Sequence, residues 1–338
     1  MTAALTAATA VAHFADAPAL VTFGLATLAI AGLAWIVSFS TEQVGRCYGP
    51  AVTGVLQSTL GNLPEFFIVI FALSAGELVV ARTSILGSIF ANALLVLGLV
   101  ILAGCHASTD GVMRFGTQLP KDNAILMLLA SFLIVLIGLS VATNDNASSH
   151  VTAISIVGAA ALLVTYGVWL VDYLRADVPR EGGGQQRVSL TLALALLAAG
   201  GVASAFVSDW FVSALSPAME KIGVSKAFAG IVVVGIAGNA VENTTGIVLA
   251  LKGESDLAIS VVKNSVAQIT AFLFPALVLV SLLFSTHLTF NLGPVYMGAL
   301  LLTAIALWQI TSDGEATRFE GVALISFYVI VAVLAFYE

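Results

Sequence analysis

Asn62 and Glu65 stand three residues apart, and so do Asn239 and Glu242, 177 residues further along the chain. At helical spacing each pair lies on one face, so each aims an amide oxygen and a carboxylate at one place. The same offset, without a gap, aligns Gly61 with Gly238, Ile70 with Ile247, Gly76 with Gly253, Glu77 with Glu254, Ala81 with Ala258 and Ser88 with Ser265. Glu65 and Glu242 both fall inside apolar segments. An ionisable group at membrane depth is costly and functional by default, so a duplicated one marks the two halves of an ion site. If the halves face each other across a pseudo-two-fold axis, Glu65, Glu242, Asn62 and Asn239 converge, and the hydroxyls of Ser88 and Ser265 can join them. Hard divalent calcium takes roughly six to eight oxygen ligands, a set that carboxylates, amides, carbonyls and waters can supply. No Cys or His falls near these positions, which disfavours soft or imidazole-seeking metals.

Gly61-Asn62-Leu63-Pro64-Glu65 interrupts a helical run. Pro64 removes a backbone donor and clashes with the preceding turn, and Gly61 permits unusual dihedrals, so a helix break is expected there. Carbonyls freed at such a break are tolerated at membrane depth only where they line a cavity or meet protein. In the second half Gly235 and Gly238 precede Asn239 without a proline, and a milder break is expected. Ser84, Ser88 and Asn92 form a polar stripe at four-residue spacing, with Asn264, Ser265 and Gln268 as counterparts. Small and polar residues in membrane helices often serve only packing; the repeat ties these to the glutamates as candidates to line or support the site.

The elements that must hold these residues are membrane helices. With 59% hydrophobic and 9% charged residues and a mean hydropathy of +1.06, the chain lies far from soluble domains, where about a quarter of residues are charged. The net charge of −7 is spread over short loops without an acidic or basic run, so no nucleic-acid partner is indicated. Crossing a hydrocarbon core of about 30 Å takes roughly 20 residues. Ten segments qualify, at 18–40, 49–76, 78–105, 122–143, 150–174, 188–208, 225–251, 255–285, 290–310 and 319–337. The expected fold is all-α, an integral membrane protein of ten transmembrane helices. Residues 1–17 lack a basic region and read as a short interfacial segment, not a signal peptide. Residues 18–174 form a first five-helix repeat, 175–187 a linker with Gly182, Gly183 and Gly184, and 188–338 a second five-helix repeat. An odd number of helices inverts the second half, the architecture of many secondary transporters, with the site near the midplane.

Positive charge sets the orientation. The face holding the termini has Arg82, Lys221 and Lys226; the other has Arg46, Arg114, Lys121, Arg175, Arg180, Arg187, Lys252 and Arg318. Both termini are therefore expected outside and the linker in the cytoplasm. Cys47 and Cys105 form no Cys-x-x-Cys spacing and read as free, reduced thiols.

Lys263 remains, inside the eighth span. It lies about 12 Å from that span's cytoplasmic start at 1.5 Å per residue, and two readings stand open. It snorkels or meets a cytoplasmic vestibule, or it pairs with Glu242 or another site carboxylate. Glu77 and Glu254 fall at loop ends and read as helix-end or capping residues; Glu42 and Glu220, near span ends, either gate and attract cations or are solvated interfacial carboxylates. Asn243-Thr244-Thr245 fits a glycosylation pattern but lies too deep in a span to be an acceptor.

These residues resemble the cation/calcium exchanger superfamily, and within it the proton/calcium exchanger branch. The resemblance rests on Gly61-Asn62-x-x-Glu65 with Ser84-x-x-Gly87-Ser88-x-x-x-Asn92, and on Gly238-Asn239-Ala240-Val241-Glu242 followed by Ser265-x-x-Gln268. Thr41-Glu42 and Met219-Glu220 are similar to that branch as well; Leu63-Pro64 is closer to sodium/calcium exchangers, whereas Asn62 is not. The resemblance implies two inverted repeats and alternating access, with Glu65 and Glu242 as cation ligands and proton acceptors. The chain departs from the branch at Asn243, where a histidine is common, at Lys263-Asn264 in place of a glycine before the serine, and in lacking an acidic helix within Arg175–Arg187.

The function so implied is antiport of cytoplasmic calcium against protons, with Ca2+ as transported ion, H+ as counter-ion and no cofactor. The compact core and short loops favour a prokaryotic inner membrane. A same-fold exchanger that uses sodium or carries another cation, with Lys263 altering the site charge, is the alternative. An intramembrane hydrolase is disfavoured, because no Asp lies deep in a span, and a non-transporting scaffold would not need acidic residues duplicated at helix breaks.

Overall fold

In hydrocarbon a segment must satisfy its own backbone, which makes helices of the long Leu, Ile, Val and Ala runs. The structure, a computed structural model, describes residues 1–48, 60, 62–175 and 188–338, without the side chains of Glu42, residues 45–48, Leu119, Tyr173, Leu174, Val241 and Glu242. The chain begins with α1 (Thr2–Phe14) and α2 (Ala19–Tyr48). Then come α3 (Leu63–Ser74) and α4 (Leu78–Ala107), followed by α5 (Gln118–Ala142) and α6 (Val151–Arg175). The second half holds α7 (Leu190–Ile222), α8 (Lys226–Gly238), α9 (Ala240–Leu251), α10 (Ser255–Leu283), α11 (Pro294–Thr311) and α12 (Arg318–Phe336).

Among the described residues eight helices are long and apolar enough to cross a membrane, and α8 with α9 makes a ninth span if the bent pair is one. Of the expected 49–76 span, residues 49–59 and 61 lie outside the described residues, and α3 is its second part. Two helices run well past their expected ends. α2 continues to Tyr48 instead of 40, and α7 runs through Ser208 to Ile222, ending only where Gly223 takes a left-handed conformation (φ 69°). At 33 residues and 1.5 Å per residue, α7 measures about 50 Å, more than the hydrocarbon thickness. No glycine interrupts it between Ser208 and Gly223, and Pro217 alone does not end it. The N-terminal α1 packs on this projecting end, with the His13 ring stacked 5.7 Å from Trp210 and Thr9 and Ala12 buried.

One feature escapes the apolar pattern altogether. Strand β1 (Val112–Arg114) pairs antiparallel with β2 (Glu315–Thr317), joining the α4–α5 connection to the α11–α12 connection. Arg114 bonds Asp110 at 2.7 Å and Glu315 at 3.1 Å, which holds the exposed Asp110 carboxyl below its usual pKa, and the Gly116 amide donates to Asp256 at 2.6 Å. Cys105 is a free, buried thiol donating to the Ala316 carbonyl at 3.3 Å, while the Cys47 side chain lies outside the described residues.

The core centres on α4, whose Ile85, Leu86, Ile89, Phe90, Leu94 and Leu97 are buried, while α6, α7 and α12 turn apolar side chains such as Val157, Phe206 and Ile330 outward. α4 meets α8 backbone to backbone. A Cβ at Gly87 would fall 2.6 Å from the Ile231 Cα, and one at Gly235 would fall 2.5 Å from the Gly87 carbonyl oxygen. Overpacking of this kind costs about 1–3 kcal/mol or more. Gly87→Ala is therefore expected to lower the thermal midpoint of the detergent-solubilised protein by several degrees. Gly24→Ala, where nothing lies within 4 Å, should leave that midpoint unchanged or raised.

Candidate functional site

The candidate site lies where two helices begin. Asn62 precedes α3 with φ −98° and ψ 26°, and Asn239 separates α8 from α9 with φ −100° and ψ 19°. Each residue opens a helix of 12 residues, and each helix ends at a glycine with positive φ, Gly76 at 74° and Gly253 at 80°. Glu77 and Glu254 then precede α4 and α10 with the same φ of −84° and ψ of 65° and 62°. The sequence offset of 177 is thus also an offset in local backbone geometry. Pro64 lies in the first turn of α3, where its missing N–H has no helical partner to lose.

Between Lys226–Gly238 and Asn243–Leu251 the axis turns by 54°, a sharp bend made without proline. Its cause is local. The Asn239 side-chain amide donates to the Gly235 carbonyl at 2.9 Å, the acceptor that its own backbone N–H would use in a continuing helix, and such side-chain competition loosens the ladder.

Asn92 joins the two halves. It lies in a wide π-helical turn of α4, Ala91–Val96, and such turns often re-aim side chains at functional positions. Its Nδ2 donates to Asn239 Oδ1 at 2.6 Å, with Ser265 Oγ at 3.2 Å and the Ser88 carbonyl at 3.1 Å also within reach. All four residues are buried. Asn92 Oδ1, Ser84 Oγ, Ser88 Oγ and Asn62 Nδ2 are buried without a hydrogen-bond partner among the described residues, a concentration of unsatisfied polar atoms that calls for a ligand or water.

Glu65 stands in the first turn of α3 and is 2% exposed. It reaches the opposite half: a Cβ at Gly238 would fall 2.5 Å from its Oε1, so glycine there leaves room for the carboxylate. Glu242 lies in the first turn of α9, but its side chain and the whole of Gly61 fall outside the described residues. Gln268 is partly buried at the start of the π-helical turn Ile269–Leu273 and makes no hydrogen bond to the cluster among the described residues. Asn243 sits partly buried one residue past Glu242, with its amide 3.4 Å from the Ile236 carbonyl. Glu220 is exposed on the projecting end of α7, and the Glu42 side chain lies outside the described residues.

Lys263 corrects one expectation. It is 1% exposed, so it reaches neither water nor a vestibule, and its ammonium donates to Thr311 Oγ1 at 3.2 Å. Thr311 is the last residue of α11, where the unpaired carbonyls and macrodipole of a helix C-terminus favour a cation. Among the described residues Lys263 meets no carboxylate. Sequence reasoning also missed Ser208 of α7, whose buried hydroxyl reaches the Pro64 carbonyl at 3.5 Å; a lone serine in an apolar run gives no signal of that.

The arrangement can hold a hard cation through a carboxylate, amide oxygens and hydroxyls. Removing one partner of a buried hydrogen bond leaves the other unsatisfied, at about 1–3 kcal/mol. Asn92→Ala and Asn239→Ala should each destabilise the fold by that much. The double variant should fall short of the sum by roughly 0.5–3 kcal/mol, as directly coupled residues do; additive unfolding midpoints would refute the bond.

Known proteins share this sequence pattern and fold. The family model described as sodium/calcium exchanger protein matches residues 18–172 and 192–337. The vacuolar calcium ion transporter of Schizosaccharomyces pombe is 31% identical over 93% of this chain and 79% of its own length. The Ca(2+)/H(+) antiporter of Aphanothece halophytica is 28% identical over 94% and 90%. The crystal structure of the selenium-substituted Ca2+/H+ antiporter protein YfkE superposes with a TM-score of 0.83 at 26% identity, over 100% of this chain and 98% of that one. The chain belongs to the sodium/calcium exchanger protein family, in the calcium/proton exchanger branch of the cation/calcium exchanger superfamily.

Proposed function

We propose that the protein is a secondary antiporter that moves cytoplasmic calcium out in exchange for protons, by alternating access to a site built around Glu65 and Glu242. The observation that carries this reading is the meeting of the two motifs: Asn92 bonds Asn239, and Glu65 abuts Gly238, all in a buried place between the halves. The names of the relatives, antiporters of Ca2+ and H+, supply the ions. The matched backbone geometry of 62–77 and 239–254 supports two five-helix repeats, 18–174 and 188–338, of inverted orientation, joined by 175–187 and preceded by the 1–17 segment. Ten spans follow if residues 49–76 count as one and α8–α9 as another. The excess of Lys and Arg on the linker face orients both termini outward, in a prokaryotic inner membrane.

The mechanism is competition for one pair of carboxylates. Two dehydrated, mutually repelling glutamates favour holding protons and release them when a divalent ion takes their place. Two protons or one calcium leave the pair similarly neutral, so both loaded forms can reorient, while the empty dianion is too costly to bury. Asn62, Asn239, Ser88, Ser265 and Gln268 complete the ligand set, with Ser84 and Asn92 behind them. The reading in which Lys263 replaces part of the cation charge finds no support in its bond to Thr311.

Purified protein in liposomes with an imposed pH gradient is expected to take up calcium without sodium. Glu65→Gln and Glu242→Gln should each reduce uptake at least about a hundredfold, since either change removes a charge from a site that needs both. Calcium movement that requires sodium, or that survives both substitutions, would overturn the assignment.

A further inference from the structure

At the end of α4 away from the β-ribbon, Glu77 accepts from Lys226 at 2.8 and 2.9 Å and from the Ser216 hydroxyl at 2.8 Å. Glu77 belongs to the first half and the other two to the second. The pair is partly shielded, with side chains 26% and 36% exposed. It sits at the start of both α4 and α8, the helices that meet at Gly87 and Gly235, and roughly 18 Å of helix separates it from the level of Glu65 and Asn239. Burial alone would raise the Glu77 pKa. The hydrogen bonds from Lys226 and Ser216, with the Lys226 charge, outweigh it and leave that pKa below its ordinary value, so the Glu77 carboxylate stays ionised through the neutral range.

The repeat makes this tie one-sided. Glu77 has the counterpart Glu254, but 177 residues before Lys226 stands Gly49. Glu254 is exposed, and among the described residues no salt bridge engages it. The face of the β-ribbon is joined by backbone pairing and by the Gly116–Asp256 bond; the face of Glu77 is joined by this breakable ion pair and by single hydrogen bonds from Arg82 to Thr289 and from the Phe290 amide to Ser155. Glu77 stands at the helix end, as its position in the sequence predicts, but its carboxylate makes no capping bond and turns to Lys226 and Ser216 instead.

We propose that Glu77, Lys226 and Ser216 form a latch between the halves that holds this face of the transporter closed and biases the resting population toward the state open at the opposite face. The inference rests on the alternating-access reading. A partly exposed ion pair has modest strength, which suits a device that must open in every cycle. Its loss should shift the population roughly two- to fivefold, the range a partly exposed pair commands.

Hydrogen exchange on the full-length protein in lipid nanodiscs tests it. Glu77→Gln and Lys226→Gln are each expected to speed exchange in residues 78–84 and 226–232 and to slow it in 243–256, at the opposite face. The charge-swapped double variant, E77K with K226E, should restore both regions. Loosening of both faces together, change confined to the residues flanking each substitution, or a double variant no better than the singles would overturn the latch. Lys226→Gln alone carries the test if Glu77→Gln does not fold. Wild-type calcium flux measured on the same preparation separates the two ideas: absent flux removes the transport assignment, whereas intact flux without the reciprocal exchange removes only the latch.

Discussion

A helix broken inside a membrane leaves backbone and side-chain polar groups that lipid cannot satisfy, and the rest of this structure depends on where those groups go. The break at Asn239 is resolved by its own side chain, which turns back to Gly235, and by Asn92 reaching across from α4. Because Asn92 lies on α4 and Asn239 stands 147 residues later, this bond ties distant parts of the chain together. The glycines at 87 and 235 follow from the same requirement: amide groups from two helices meet only if the backbones approach closely, and the contact between α4 and α8 admits no Cβ at either position.

That junction explains why polar atoms remain unsatisfied beside satisfied ones. A purely structural network would close on itself, since each buried orphan costs free energy. Here Asn92 spends its donor on the scaffold and leaves Oδ1, together with Ser84 and Ser88 hydroxyls, facing no partner among the described residues. Asn92 Oδ1 and the two hydroxyl oxygens have lone pairs to offer a cation, and Asn62 Nδ2 is left beside them as an unpaired donor. Lys263, by contrast, donates to the Thr311 hydroxyl at the C-terminal end of α11.

Much of this was legible in the chain, because the demands of hydrocarbon are written in composition. Apolar runs marked the helices long enough to cross a membrane, and a 177-residue offset in polar and glycine positions marked the two segments that share backbone geometry. Other features were not legible for physical reasons. The extension of α7 to Ile222 uses residues whose burial comes from α1 and neighbouring helices, not lipid, so hydropathy ended it too early. The β-ribbon is three residues a side, too short for periodicity to register. The 54° bend at Asn239 comes from a side-chain hydrogen bond that needs no proline, and the partner of Lys263 is fixed by tertiary packing 48 residues away in sequence.

The central claim is that Glu65 and Glu242 titrate as one unit whose protons and calcium exclude each other. Calorimetric titration of calcium into the purified protein near neutral pH, repeated in buffers of differing ionisation heat, counts the protons released per ion bound. A coupled pair predicts release of close to two protons in the wild type and a clear fall in Glu65→Gln. Calcium binding that releases no protons would contradict the account.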